Sequence, residues 1–143
     1  MTMASYQRAV PVLQVANVET SLRWYADVLC FAANPFPKSP PYSFAILRRD
    51  DAEIMLQCAD ETDGPGSPQR RADPEFRWSI YLRVSGTAIL EVATAAGKKA
   101  SLMRGPERMA YGLVEFELRD ADGYRVCVSG EVPAGTTVKA REE

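Results

Sequence analysis

The sequence predicts an α+β fold made of two βαβββ modules, because the same order of elements occurs twice around a central polar segment. An apolar run at 9–15 precedes a helical pattern over 18–29, and an apolar run at 76–84 precedes a second helical pattern over 87–96. Repetition of one supersecondary unit indicates an internal duplication. We therefore divide the chain into a first module over 1–60, a linker over 61–75, a second module over 76–130 and a C-terminal tail over 131–143.

The helices are marked by their ends and by apolar spacing. Asn17 offers a side-chain cap to the first helix, and Gly97 closes the second. Apolar residues recur at helical spacing within the first segment, at Val18, Leu22, Tyr25, Ala26 and Leu29. We expect both helices to be amphipathic and to pack on a sheet.

Two hairpins and one further strand complete the predicted modules. The runs 42–48 and 53–58 flank a turn at 49–51, and the runs 113–118 and 124–129 flank the turn at 120–123. Residues 99–103 are a candidate strand of the second module. The corresponding strand of the first module is weak, because prolines interrupt the sequence between 35 and 41.

Composition and charge are typical of a globular chain with one core. Of the 143 residues 46% are hydrophobic, and 17 basic side chains against 19 acidic ones give a formal net charge of −2. No block of like charge indicates nucleic-acid binding, and no apolar run approaches the roughly 20 residues that span a bilayer. We expect a cytoplasmic protein with no nucleic-acid or membrane partner.

Histidine is absent, and its absence excludes many mechanisms near neutral pH. Imidazole is the commonest metal ligand and the usual general base, so a Ser-His-Asp triad, a Cys-His pair and a histidine-based metal site are excluded. Cys30, Cys58 and Cys127 are odd in number and widely spaced. This pattern predicts reduced thiols rather than a disulfide framework.

Two segments carry the most specific patterns in the chain. The segment 11–31, PVLQVANVETSLRWYADVLCF, combines a strand, a capping Asn, a helical Ser, the aromatic pair Trp24-Tyr25 and a Leu-Cys-Phe end. The segment 111–128, YGLVEFELRDADGYRVCV, contains an Asp-Ala-Asp-Gly-Tyr turn. In this order the two segments resemble the vicinal oxygen chelate superfamily, also called the glyoxalase/bleomycin resistance/dioxygenase superfamily. Cys30 stands where that family usually has Gly, and Ala121 where it usually has Pro.

The resemblance spans about residues 8–130 and implies paired βαβββ modules whose mixed sheets curl around a cleft. It also implies a homodimer. In metal-using members the ligands come from the first and last strands of the modules, and the matching positions here are Val10, Met55, Ser79 and Cys127. A divalent metal acting on substrate oxygens prefers carboxylate or imidazole ligands. We therefore expect no metal and no cofactor.

Eight residues are candidate ligand contacts in the implied cleft. Aromatic walls grip a planar ligand with little loss of entropy, and methionine adapts to irregular shapes. The glutamine of the set shares a strand face with the metal-equivalent methionine. The candidates are Phe44, Met55, Gln57, Trp78, Tyr81, Met103, Tyr111 and Cys127. The alternative is ordinary core packing for the apolar members and an outward orientation for the polar strand residues Gln14, Gln57 and Arg83.

No catalytic residue is assigned from the sequence. The Cys127 thiol has no imidazole partner, and its neighbours Val126 and Val128 offer no activating charge, which favours a plain buried thiol. Glu115 and Glu117 share one strand face, and we expect that face to be solvated, since glycosidase-like carboxylates lie across a cleft rather than at i and i+2.

The leading functional hypothesis is a metal-free member that resembles the bleomycin-resistance branch. It sequesters a small aromatic or amphipathic molecule in a cleft, with no bond made or broken. One alternative is a superfamily enzyme of lyase, isomerase or dioxygenase type that uses an unrecognised metal or none. Another is a module with a closed cleft that serves dimerisation or regulation. Enzymatic activity is left open.

Overall fold

The computed structural model describes residues 3–59 and 78–142, which form two four-stranded mixed sheets and two helices. The α+β fold class predicted from the sequence is confirmed. The predicted linker at 61–75 lies outside the described residues. The elements are β1 (Val12–Val15), α1 (Val18–Leu29), β2 (Ala32–Phe36), β3 (Phe44–Arg49), β4 (Ala52–Cys58), β5 (Ile80–Arg83), α2 (Ile89–Gly97), β6 (Arg104–Arg108), β7 (Val114–Arg119) and β8 (Arg125–Gly130).

Both sheets have the same topology. The strand order is β1-β4-β3-β2 in the first sheet and β5-β8-β7-β6 in the second. In each sheet the first strand of the module pairs in parallel with the last, and the remaining pairs are antiparallel. This correspondence, strand by strand, supports the internal duplication inferred from the sequence.

Helix α1 has the bounds predicted from the sequence, and both of its ends have a local cause. The Asn17 side chain accepts a hydrogen bond from the backbone N–H of Thr20 at 2.9 Å. Cys30 ends the helix in the left-handed conformation, with a φ of 60°. The Phe31 N–H then donates to the Tyr25 carbonyl at 3.1 Å. A Cys in this conformation costs roughly 1–2 kcal/mol relative to Gly, so the chain keeps the family's turn without its usual residue.

The core lies between each sheet and its helix. Alternate residues of β3 and β4 are fully buried on the helix side, namely Ala45, Leu47, Ile54 and Leu56. In the second module Phe116, Leu118 and Val126 occupy the same side of their sheet. Helices α1 and α2 also contact one another, so the two helix layers are continuous across the modules.

The turn between β7 and β8 joins the two modules through side-chain hydrogen bonds. The buried Tyr25 hydroxyl donates to Asp120 Oδ2 at 2.6 Å. Asp122 accepts from the Ser21 hydroxyl at 3.0 Å and from the Ala16 backbone N–H at 2.9 Å. We call this contact the sealed junction. Burial, reinforced by the neighbouring Asp120 carboxyl, raises the pKa of Tyr25 well above its usual value, so the phenol remains a donor.

The prediction of a strand at 99–103 was wrong, and the strand lies at Arg104–Arg108 instead. The backbone N–H groups of Lys98, Lys99 and Ala100 bond back to the last turn of α2 and are not available to a sheet. Pairing with β7 starts at Met103, whose N–H donates to the Glu117 carbonyl at 2.7 Å. The weak strand of the first module is β2, an edge strand, where a proline is tolerated.

Within the described residues no helix is long and apolar enough to cross a bilayer.

Substituting Tyr25 by Phe tests the sealed junction. We expect the free energy of unfolding to fall by about 1–2 kcal/mol, because the buried Asp120 carboxyl loses one donor while the ring still fills its place. Urea denaturation measures the change. The control is Tyr6→Phe, at a fully exposed tyrosine, and equal stability of the two variants would show that the junction bond contributes nothing.

Candidate functional site

The first sheet has one face turned away from α1, which we call the first open face. Its members are neighbours in strand register and alternate with the buried core residues: Val12, Gln14, Ala32, Asn34, Phe36, Phe44, Ile46, Arg48, Glu53, Met55 and Gln57. Val12 is 45% exposed and Phe36 is 42% exposed, while Phe44, Ile46 and Met55 are half-buried. The middle of this face is therefore apolar and uncovered over several neighbouring side chains, and the Arg48–Glu53 ion pair lies at one end.

Three of the eight predicted ligand contacts lie together on the first open face. Phe44 is opposite Gln57 in the β3–β4 register, and Met55 is opposite Ile46. The Gln14 amide donates to Gln57 Oε1 at 2.6 Å, which places one polar pair beside the apolar residues. Gln14 thus shares the face of Gln57.

The second sheet carries charged side chains on its corresponding face. We call the set Arg104, Glu107, Glu115, Glu117 and Arg125 the ionic cluster. Glu115 and Glu117 are completely or almost completely buried, so the expectation of a solvated face was wrong. The physical reason is the strand register, because β6 and β8 place an arginine on either side of the β7 carboxylates.

The Arg104 guanidinium is the centre of the ionic cluster. It donates to Glu115 Oε1 at 2.8 Å and to Glu107 Oε1 at 3.2 Å, and it also binds Glu117. Arg125 donates to the other oxygen of Glu117 at 2.6 Å. Burial alone lowers the pKa of Arg104, but the Glu115 and Glu117 carboxylates outweigh it and the net pKa is raised. Arg104 is a permanent cation in this sheet.

The Glu115 carboxylate accepts hydrogen bonds from several donors. Its Oε2 atom accepts from the Tyr81 hydroxyl at 2.6 Å and from the Tyr111 hydroxyl, and its Oε1 atom accepts from Arg104. Burial alone raises the pKa of Glu115, yet the hydrogen bonds from Tyr111, Tyr81 and Arg104 together lower it. Burial and the bond to Glu115 raise the pKa of both tyrosines. The group therefore stays an anion held by neutral phenols and a guanidinium.

Cys127 lies beneath this arrangement, with its Sγ atom 3.8 Å from Arg104 Nη2. Burial, together with the neighbouring Glu115 carboxylate, raises the pKa of the Cys127 thiol and outweighs Arg104. The thiol form is therefore favoured. A nucleophilic role needs the opposite shift.

Aromatic rings surround the outer side of Glu115. The Trp78 and Tyr81 ring centroids are 4.9 Å apart, and the Arg83 guanidinium lies 5.5 Å from the Tyr81 ring centroid. Trp78 is 44% exposed and Tyr111 is 57% exposed, so both rings reach solvent. We call Trp78, Tyr81 and Tyr111 the aromatic rim.

The structure thus places seven of the eight predicted contacts in two groups and leaves one aside. Trp78, Tyr81, Tyr111 and Cys127 form the second group, around Glu115. Met103 lies just before β6 and is 41% exposed. It belongs to neither group.

The residues at the implied metal position do not fit a divalent ion. No three Asp, Glu, Cys or His side chains in the described part of the chain are grouped so that they could hold one. The two carboxylates nearest Cys127 are Glu115 and Glu117, and both bind the Arg104 guanidinium. A metal ion there would face a fixed positive charge instead of free carboxylate oxygens.

Sequence reasoning missed Arg104 and the role of the two β7 glutamates. Part of the signal was present, because Arg125 stands on the strand that pairs with β7 in the predicted hairpin, whereas Arg104 lies just beyond the strand predicted at 99–103. Opposite charges on adjacent strands pair across a sheet. The environment of the two glutamates was predicted from the sequence of their own strand alone, without the neighbouring strands.

Comparison with known proteins identifies the superfamily. The family model described as Glyoxalase/Bleomycin resistance protein/Dioxygenase superfamily matches residues 7–128. No curated protein sequence matches the chain.

Several solved structures share the fold. They include a virulence protein from Salmonella typhimurium, with 24% identity, a TM-score of 0.62 and coverage of 91% of this chain and 100% of that chain. TioX from Micromonospora sp. ML1 has 17% identity, a TM-score of 0.67 and coverage of 91% and 100%. A bleomycin-binding protein from Streptomyces verticillus, complexed with copper(II)-bleomycin, has 19% identity, a TM-score of 0.62 and coverage of 92% and 99%. At these identities the likeness shows the fold alone.

Substituting Glu115 by Gln tests the ionic cluster. At pH 7 we expect the free energy of unfolding to fall by about 2–3 kcal/mol, because charge-assisted bonds to Arg104 and two tyrosines are weakened. The pKa of Glu115 is lowered in the folded protein, so its contribution is full above the ordinary glutamate pKa of about 4.3 and is lost as pH falls through the folded value. Urea denaturation from pH 7 to pH 3 measures this.

Glu91→Gln is the matched control, since it removes one exposed carboxylate from α2. A difference between Glu115→Gln and the wild-type protein that does not shrink at low pH would contradict the assignment of Glu115 as a buried anion.

Proposed function

We propose that this chain, which belongs to the Glyoxalase/Bleomycin resistance protein/Dioxygenase superfamily, binds a small aromatic or amphipathic molecule without a metal and without making or breaking a bond. The observation that carries the proposal is the uncovered aromatic and apolar surface on both sheets. It consists of the first open face and the aromatic rim.

The first open face supports binding of an apolar surface. Burying apolar area releases roughly 25 cal/mol per Å², so adjacent half-exposed side chains such as Phe44 and Met55 favour an apolar partner. The rings of Phe36 and Phe44 lie 5.9 Å apart with a 38° tilt, and they offer one aromatic edge to that partner. The Gln14–Gln57 pair beside them supplies amide groups that can bond to a polar substituent.

The aromatic rim supports binding of a planar ring. The hydroxyls of Tyr81 and Tyr111 are tied to one oxygen of Glu115, which fixes both rings before any ligand arrives. A surface that is rigid beforehand loses less conformational entropy on binding. Trp78 packs on Tyr81 and is still 44% exposed, so part of its ring surface is available for stacking.

The electrostatics of the second sheet favour binding over acid–base catalysis. A general acid or base works best with a pKa near the working pH. In Glu115 and the groups that contact it, every resolved pKa shift moves away from pH 7: the pKa of Glu115 is lowered, while those of Tyr81, Tyr111 and Cys127 are raised.

The bleomycin-binding neighbour supports the same class of function, because that protein is named for binding bleomycin and its structure contains copper(II)-bleomycin. We further propose that the protein is a homodimer, with a second copy covering part of the first open face. A cytoplasmic location is proposed as well, in keeping with three cysteines that are all free. Light scattering measures the molar mass of the assembly, and cell fractionation tests the location.

Substituting Trp78 by Ala tests the aromatic rim with a planar fluorescent probe, 8-anilinonaphthalene-1-sulfonate, and with bleomycin. We expect the dissociation constant of any probe that binds to rise about tenfold or more, because a stacking surface worth about 1–2 kcal/mol is removed. The free energy of unfolding should change by less than about 1 kcal/mol. In a Trp24→Phe background Trp78 is the only tryptophan, and its fluorescence reports the contact directly.

Tyr6→Ala is the control for that experiment, since it removes an exposed aromatic outside both faces. If Trp78→Ala lowers stability strongly and leaves the probe affinities unchanged, Trp78 is a packing residue and the rim is not the site.

Metal independence is tested with the same probes. We expect a chelator to leave probe affinity unchanged, and nickel, zinc, manganese and iron(II) to leave the thermal midpoint unchanged, because Arg104 occupies the carboxylates. Elemental analysis of the purified protein accompanies the titration. Stoichiometric metal, or stabilisation by one ion alone, would mean that the metal-equivalent positions are misassigned.

A further inference from the structure

A cavity of about 250 Å³ lies at the second contact between the modules, on the helix side of the sheets. Its apolar wall consists of Leu29, Phe31, Leu82, Val84, Val92 and Val128. Its polar mouth consists of the β3–β4 turn, Ser85, and the flanking Arg49 and Arg83. The Arg49 guanidinium donates to the Leu29 backbone carbonyl at 2.8 Å. This location is separate from the first open face and from the aromatic rim, whose residues do not line it. We call it the open junction.

The open junction is the counterpart of the sealed junction in the duplicated fold. At the sealed junction the β7–β8 turn meets α1 through Ser21 and Tyr25, the fourth and eighth residues of that helix. The fourth and eighth residues of α2 are Val92 and Ala96. A hydroxyl and a phenol in one module are therefore replaced by an isopropyl group and a methyl group in the other.

The two turns differ in length as well. Residues 120–124 separate β7 from β8, whereas residues 50–51 alone separate β3 from β4. The shorter turn and the smaller helical side chains both reduce the volume of protein that fills the contact between the modules. The sealed junction is closed by hydrogen bonds, and the open junction retains a cavity.

The acceptors of the sealed junction have counterparts at the open one. Asp120 accepts a hydrogen bond from the Tyr25 hydroxyl, and Asp122 accepts one from the Ser21 hydroxyl. Asp50 and Asp51 line the cavity, and the Asp51 backbone carbonyl accepts from Arg8 at 3.1 Å. Among the residues that the structure describes, no hydrogen bond to the side-chain carboxylate of either aspartate is present.

From this asymmetry we propose that the open junction binds a small phenol, a single aromatic ring whose hydroxyl donates to the carboxylate of Asp50 or Asp51. The ring takes the place that a tyrosine side chain fills at the sealed junction. The size is sufficient, because an apolar cavity of about 150 Å³ holds benzene. The apolar wall accepts the ring, and the turn carboxylates select molecules that carry a hydroxyl over plain hydrocarbons.

The experiment compares p-cresol with toluene, which has the same ring and methyl group and no hydroxyl. Backbone amide shifts of the isotope-labelled protein are followed by NMR during each titration. We expect saturable shifts at Val84 and Val92, and an affinity for p-cresol about tenfold higher than that for toluene. Val92→Phe, which fills the cavity, should abolish both.

A second variant keeps the test independent of core packing. Asp50→Asn/Asp51→Asn changes exposed turn residues, and Asn tolerates the φ of 52° at position 50. It should lower p-cresol affinity to within about twofold of toluene and leave toluene unchanged, whereas the exposed-charge control Asp27→Asn should change neither.

Three results would overturn the phenol site: no saturable shifts at the junction, equal affinities for p-cresol and toluene, or unchanged p-cresol affinity in the double Asn variant. Shifts confined to Trp78 and Tyr81 would likewise overturn the phenol site, and they would support ligand binding at the aromatic rim. The two proposals therefore fail separately.

Discussion

The Arg104 guanidinium is the interaction on which the second sheet depends. Three carboxylates, those of Glu107, Glu115 and Glu117, converge on it, and two of them are fully removed from water. Leaving a buried carboxylate without its partner costs about 3–5 kcal/mol, a large share of the stability of a small domain. Arg104 is therefore what allows β7 to carry two glutamates on one buried face.

The same guanidinium determines what the face can do. Arg104 and Arg125 together balance the charges of Glu115 and Glu117, and the oxygens of both glutamates are bound to donors that are part of the chain. The aromatic rim is a direct consequence, because Tyr81 and Tyr111 are oriented by the carboxylate that Arg104 holds in place. A scaffold that serves metal chemistry in other members of the superfamily here supports a surface of fixed rings with a permanent internal cation.

Much of the fold could be predicted from the sequence, because its signals are local. The bounds of α1 follow from Asn17 and the apolar spacing, and the β7–β8 hairpin follows from its Asp-Gly turn. The predicted position of β6 was wrong because the backbone after α2 continues to hydrogen-bond to the end of the helix. The periodicity of apolar residues does not reveal such bonds. The sequence signal for β2 was weak because Pro35 indicates a loop unless the strand is known to lie at the edge of a sheet.

The site could be predicted only in part, for a reason of the same kind. Aromatic residues such as Trp78 and Tyr81 are recognisable as candidate contacts by residue type alone. The burial of Glu115 depends on Arg104, which is eleven residues away and on another strand. Charge pairs of this sort are set by strand register and not by spacing in one strand, so sequence reasoning confined to β7 gave the wrong environment.

The two modules have diverged in opposite ways at their two kinds of surface. The first sheet has an apolar open face, and the corresponding face of the second sheet is filled by the ionic cluster. The junctions differ likewise, since one is closed by Tyr25 and the other keeps a cavity. A molecule that contacts both sheet faces, within one chain or across a dimer, must therefore be apolar on one side and able to stack or hydrogen-bond on the other. This asymmetry between the modules is therefore a physical argument for an amphipathic ligand in the proposed function, and it does not depend on the likeness to a bleomycin-binding protein.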